Sequence, residues 1–95
     1  MALTILAQVR AVSGTEDQTR AEMTKLLAPT RAEAGCLFYD FYADNNDPCL
    51  FLFFEEWESR AHLEAHLQSP HLQACRAATA DLGLTWVVNE LSKVE

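Results

Sequence analysis

Hydrophobic and polar residues alternate with a period of two from Leu3 to Val12. Leu3, Ile5, Ala7, Val9 and Ala11 fall on one side and Thr4, Gln8 and Arg10 on the other, with Leu6 and Val12 as apolar exceptions. This is the period of a β-strand, and Ser13-Gly14 ends it. Thr15 then precedes Gln18 by three residues, a capping-box spacing, and Glu16-Asp17 put acidic charge where a helix start favours it. Met23, Leu26, Leu27 and Thr30 carry a helical stripe towards Ala34, and Gly35 is a natural stop. Pro29 lies inside this stretch and should bend or break it, because it lacks a backbone donor.

A second strand is expected over Cys36–Ala43, with Leu37, Tyr39 and Phe41 on one face and Phe38, Asp40 and Tyr42 on the other. Asp44-Asn45-Asn46-Asp47-Pro48 is a dense turn signal. A third strand over Cys49–Trp57 points Phe51, Phe53, Glu55 and Trp57 one way and Leu50, Leu52, Phe54 and Glu56 the other. Both of its faces are apolar at the centre, whereas a sheet with one wet face alternates cleanly. Ser59 can cap a helix running to about Gln68, with Leu63 and Leu67 inward. Ser69-Pro70 starts another helix, His71–Leu82, carrying Leu72, Cys75 and Thr79, and Gly83 ends it. Leu84–Val94 reads as a last strand, apolar on both sides.

Strand, helix, strand, strand, helix pair, strand is the ferredoxin-like βαββαβ split of an α+β domain, with a four-stranded antiparallel sheet. Its helices cover one face of the sheet. The other face carries aromatic and branched residues that the chain itself leaves uncovered. A second copy of the same face, in a two-fold contact, is the economical cover, so a homodimer through the sheet is expected.

Composition narrows the partners. The 95 residues make one domain, 1–95, and a chain this short buries only roughly 60–65% of its unfolded surface, so association would help it. A net charge of -7 without a Lys/Arg cluster disfavours nucleic acid and anionic membrane surfaces. No apolar run is long enough to span a membrane. The start, Met1-Ala2-Leu3-Thr4-Ile5-Leu6, lacks the basic segment and long apolar core of a signal peptide. Cys36, Cys49 and Cys75 are odd in number and widely spaced, as expected of free thiols in a reducing cytoplasm.

Phe54-Glu55-Glu56-Trp57-Glu58-Ser59, the run Ala61-His62-Leu63-Glu64-Ala65-His66-Leu67-Gln68-Ser69-Pro70-His71, Ala28-Pro29-Thr30-Arg31-Ala32-Glu33 and Gly35-Cys36 together resemble the antibiotic biosynthesis monooxygenase superfamily, especially its small quinol monooxygenases. The resemblance spans essentially the whole chain. It implies a dimeric α+β barrel with a pocket between helices and sheet in each subunit. It also implies oxidation of quinols, anthrones or related phenolic rings by dioxygen with no metal, flavin or other cofactor. Other members isomerise sugar-derived signals or degrade haem. The haem-degrading pattern asks for an Asn, a Trp and a His where this chain has Gln8 or Ala7, His66 and Arg76, so it does not carry over.

Cofactor-free oxygenation needs an electron-rich phenolate or enolate, a base and a dry pocket. Histidine titrates in the right range. His66, three residues after Leu63 at the edge of the apolar stripe, and His71, in a helix first turn that disfavours imidazolium, are the candidate bases. Tyr39, Phe53, Trp57 and Leu63 are expected to wall an aromatic substrate. Glu55, set between Phe53 and Trp57, is either paired or raised in pKa. His62 and His66 have metal-ligand spacing but lack a third ligand at a useful distance in sequence, so no metal is expected. No cysteine has a base beside it, and the three glycines form no phosphate loop. Two other readings compete. A ligand-binding or isomerase domain would show Arg10 or Arg76, less plausibly Arg31, in its pocket, and a pure association module would have no usable pocket.

Overall fold

The computed structural model describes residues 2–95. The chain runs β1 (Leu3–Arg10), α1 (Glu16–Thr24), α2 (Leu27–Arg31), β2 (Cys36–Ala43), β3 (Leu50–Trp57), α3 (Arg60–Leu67), α4 (Pro70–Thr79) and β4 (Thr85–Leu91). The strands form one antiparallel sheet in the order β2-β3-β1-β4, the expected ferredoxin-like α+β arrangement.

Local chemistry explains the breaks. The helix expected over Glu16–Ala34 is two helices, interrupted between Thr24 and Leu27. Pro29 has no N–H for the Lys25 carbonyl four residues back, and its ring crowds that carbonyl, so the regular helix stops there. The expected capping box does not form. The Thr15 hydroxyl donates to the Val12 carbonyl at 2.7 Å, and Glu16 accepts from the Gly14 N–H at 2.6 Å. Ser59 and Ser69 do cap α3 and α4, accepting from the His62 and Leu72 N–H groups at 3.3 and 3.4 Å. Gly35 closes the turn before β2 with φ +80, where a Cβ would lie 2.2 Å from the His62 ring. Only glycine suits both constraints.

The register sorts the faces. Ile5 opposes Glu55 and Glu90, Ala7 opposes Phe53 and Val88, and Val9 opposes Phe51 and Trp86. This face packs against Met23, Leu26, Leu63, Leu72 and Cys75. Phe51, Phe53 and Met23 are almost wholly buried, each contributing about 1.5–3 kcal/mol. Leu37 does not join Tyr39 and Phe41 as expected. A register shift between Cys36 and Phe38 takes it out of the alternation and leaves it half exposed.

The opposite face carries no helix. Tyr42, Phe54, Val87 and Leu91 are exposed on it, and the Phe38 and Phe54 rings lie 5.2 Å apart there. On the helix-bearing face, β4 is also incompletely covered: Trp86 and Val88 remain 42% and 58% exposed. Between that strand and α3–α4 a cavity opens. No helix among the described residues is long and apolar enough to cross a membrane.

Candidate functional site

The cavity holds about 350 Å³. Ile5, Ala7, Phe53, Glu55, Trp86 and Val88 form its sheet side; Leu63, His66 and Leu67 of α3 and Leu72, Cys75, Arg76 and Thr79 of α4 form its helix side, with Tyr39 at one end. Its walls are chiefly apolar, with a few polar groups converging on it, the usual composition of a small-molecule site.

His66 is its most constrained polar group. The side chain is 4% exposed, and its ring sits 4.8 Å from that of Trp57 and 5.6 Å from that of Tyr39. Its Nδ1 lies 2.6 Å from Glu33 Oε2. The same oxygen lies 2.9 Å from His71 Nε2. A carboxylate oxygen accepts, so both rings donate to it, which sets His66 as the Nδ1–H tautomer. Nε2 then carries the lone pair, and it has no hydrogen-bond partner among the described residues. Burial lowers the pKa of His66, and Glu33 opposes that shift only in part. The ring is therefore mostly neutral near pH 7 and able to accept a proton, with a carboxylate behind it to hold the imidazolium that results.

Glu55 is 5% exposed and accepts the Trp57 Nε1–H at 2.9 Å. Burial pushes its carboxyl up from the ordinary 4.5 to about 7, against the effect of that bond. Near neutral pH it is shared between a donating acid and an accepting carboxylate. Tyr39 is raised still further by burial and stays a neutral phenol. Cys75 is held as the thiol by burial, which removes it as a nucleophile at neutral pH.

The placement of the expected residues is uneven. His66, Tyr39, Phe53, Glu55 and Leu63 all line the cavity. Trp57 and His71 do not. Trp57 is completely buried behind Glu55 and His66, so it buttresses the wall instead of forming it. His71 reaches Glu33 and not the cavity, which puts it one residue behind His66. Glu33, which joins the two histidines, carried no role in the sequence reading. It lies in the turn between α2 and β2, where no hydrophobic period marks it. Its only sequence signal was its place in the Arg31-Ala32-Glu33 stretch of the family resemblance.

His62 does not pair with His66. Its Nδ1 is 2.8 Å from Ser59 Oγ at the start of α3. A metal donor set arises elsewhere: one atom each from Glu33, His66 and His71, all within 4.8 Å of one another. Two histidines and a carboxylate suit a divalent transition metal. In the structure described, these atoms bond to each other.

The fold belongs to a recognised class. Residues 2–78 match the family model described as antibiotic biosynthesis monooxygenase, and the chain is a member of that family. It is 33% identical over 82 aligned residues to an Escherichia coli protein named "Probable quinol monooxygenase YgiN", covering 76% of this chain and 79% of that one. It is 41% identical over 56 residues to an uncharacterized Synechocystis protein, covering 59% of this chain but only 38% of the longer relative. The crystal structure of PA3566 from Pseudomonas aeruginosa superposes with a TM-score of 0.89 at 36% identity, covering 99% of this chain and 95% of that one.

Proposed function

We propose that this protein is a cofactor-independent monooxygenase that oxidises a small quinol, anthrone or related phenolic ring with dioxygen. The observation that carries the reading is His66: buried, facing an apolar cavity, fixed by Glu33 through Nδ1 and free at Nε2. The name of the Escherichia coli relative supports the quinol class.

The step balances without a bound cofactor. His66 Nε2 takes a phenolic proton, and the phenolate supplies an electron to dioxygen. For a quinol, one oxygen atom enters the ring at a C–H position and the other leaves as water, giving a hydroxyquinone. The proton on His66 returns to the departing oxygen. Glu33 stabilises the transient imidazolium, and His71 donates to the same Glu33 oxygen and so helps hold it in place. Phe53, Tyr39 and Leu63 position the ring, and the protonated fraction of Glu55 can donate to a substrate oxygen. A dry apolar site lowers the dielectric around the charge that develops.

The working unit of this reading is a homodimer closed through the helix-free sheet face into an α+β barrel, with each subunit keeping its own cavity. The three free thiols suit a reducing cytoplasm. The test is oxygen consumption by chelator-treated protein with a naphthohydroquinone and an anthrone, against autoxidation. Turnover of a sugar-like substrate with oxygen uptake at background would favour an isomerase of the same fold.

A further inference from the structure

The acidic and basic side chains that line the cavity are His66, Glu55, Arg76 and Glu90. Arg76 and Glu90 are not equivalent. Glu90 is neutralised by a two-pronged contact with Arg60, at 2.7 and 2.9 Å. Arg76 makes no ion pair among the described residues. By contrast, Arg10, Arg31 and Arg60 each hold a carboxylate. Arg10 and Arg31 lie outside the cavity lining, so of the arginines singled out from sequence only Arg76 remains a candidate.

Arg76 has a bland role available, as a cap on the C-terminal end of α3. Its Nη1 approaches the Leu67 carbonyl at 3.4 Å. That bond is long, and Gln73 Nε2 already serves the same carbonyl at 3.0 Å. A guanidinium has five N–H donors, so most of those on Arg76 remain available. An uncommitted guanidinium at the edge of an apolar cavity, in a chain of net charge -7, is the feature that distinguishes this site from a pocket for neutral rings.

Resting on the function proposed above, we propose that the substrate is a hydroxylated aromatic acid: its carboxylate is taken by Arg76 while its phenolic hydroxyl reaches His66. The planar fork of arginine matches a carboxylate in two parallel bonds. Phe53 and Trp86, whose rings are 6.4 Å apart and nearly parallel, form an aromatic part of the same lining. Glu55 and the neutral His66 imidazole offer a carboxylate no fixed positive charge, and Glu90 is already held by Arg60, which leaves Arg76 as its partner in the lining.

The test uses binding, so it does not depend on oxygen chemistry. Isothermal titration of the full chain with 6-hydroxy-2-naphthoate and with its uncharged amide, 6-hydroxy-2-naphthamide, compares the acid with a near-isostere. The acid is expected to bind about tenfold more tightly, the scale of one partly exposed charge-assisted pair. Arg76→Gln should remove that preference, weakening the acid about tenfold more than the amide, and Arg76→Lys should restore part of it. Equal binding of acid and amide by the wild type overturns the proposal. So does an Arg76→Gln variant that weakens both ligands equally, the result of a purely structural cap. Tight acid binding with no oxygen uptake on the hydroquinone acid 5,8-dihydroxy-2-naphthoate would leave the ligand class standing and overturn the oxygenase reading alone.

Discussion

Replacing Glu33 by glutamine should damage catalysis while sparing substrate binding, because Glu33 holds His66 and does not line the cavity. The side chains of His66 and Glu33 are 4% and 17% exposed, so solvent screens the pair little. A hydrogen bond to a charged group is worth about 1.5–3 kcal/mol against about 0.5–1.5 kcal/mol for a neutral one. The imidazolium formed when His66 takes a proton therefore loses about 1–2 kcal/mol. The amide also no longer enforces the Nδ1–H tautomer, which removes part of the productive population. Together these give a fall in kcat of roughly 30- to 100-fold, about 2–3 kcal/mol at 1.36 kcal/mol per decade, with KM nearly unchanged.

The pH profile separates this role from a merely structural one. Glu33 raises the pKa of His66 against the stronger effect of burial. Without Glu33 that pKa falls further, so the acid limb of kcat/KM moves to lower pH even as the plateau drops. The assay is an oxygen electrode with a naphthohydroquinone, corrected for autoxidation. A kcat within twofold of wild type, or an acid limb that does not move, would refute the relay from Glu33 to His66.

Two further outcomes follow. Glu55 is raised to about 7 in the folded chain, so folding favours its protonated form, and stability should fall as pH rises from about 4.5 through 7. Glu55→Gln should abolish that slope and raise the unfolding free energy from urea titration at pH 8.5 by up to about 3 kcal/mol, at 1.36 kcal/mol per pKa unit; a free energy equally pH-dependent in the variant would contradict it. Phe54→Asp puts a charge in the centre of the helix-free face, beside Phe38, and should shift a wild-type dimer to monomer in sedimentation at micromolar concentration without loss of helical circular dichroism. A dilute wild type that is already monomeric, or a variant that stays dimeric, would remove the barrel from the account.

The sheet was legible because it is written in short-range patterns. Period-two alternation placed all four strands to within a few residues, and Ser59, Ser69-Pro70 and Gly35 marked ends through local chemistry. Errors arose where a competing contact won. Thr15 bonded backwards to Val12, Pro29 stopped the helix at the carbonyl it could not serve, and a bulge displaced Leu37. The site was half legible. Tyr39, Phe53, Glu55, Leu63 and His66 face inward by strand and helix period alone, and the fold brings them to one cavity. Glu33 has no period to betray it: it sits in a turn, 33 and 38 positions from the two histidines it joins, and only the packing of α2 against the sheet brings it there. The separation of Trp57 and His71 from the cavity is likewise a matter of depth, which alternation does not encode.

The central claim is that His66 Nε2 starts an oxygenation needing no cofactor. It is tested most directly by oxygen consumption of chelator-treated protein with a naphthohydroquinone, wild type beside His66→Ala. The account predicts uptake well above autoxidation in the wild type and a fall to near background in the variant, with the fold intact by circular dichroism. Wild-type uptake no faster than autoxidation, or equal uptake by the two proteins, would contradict it.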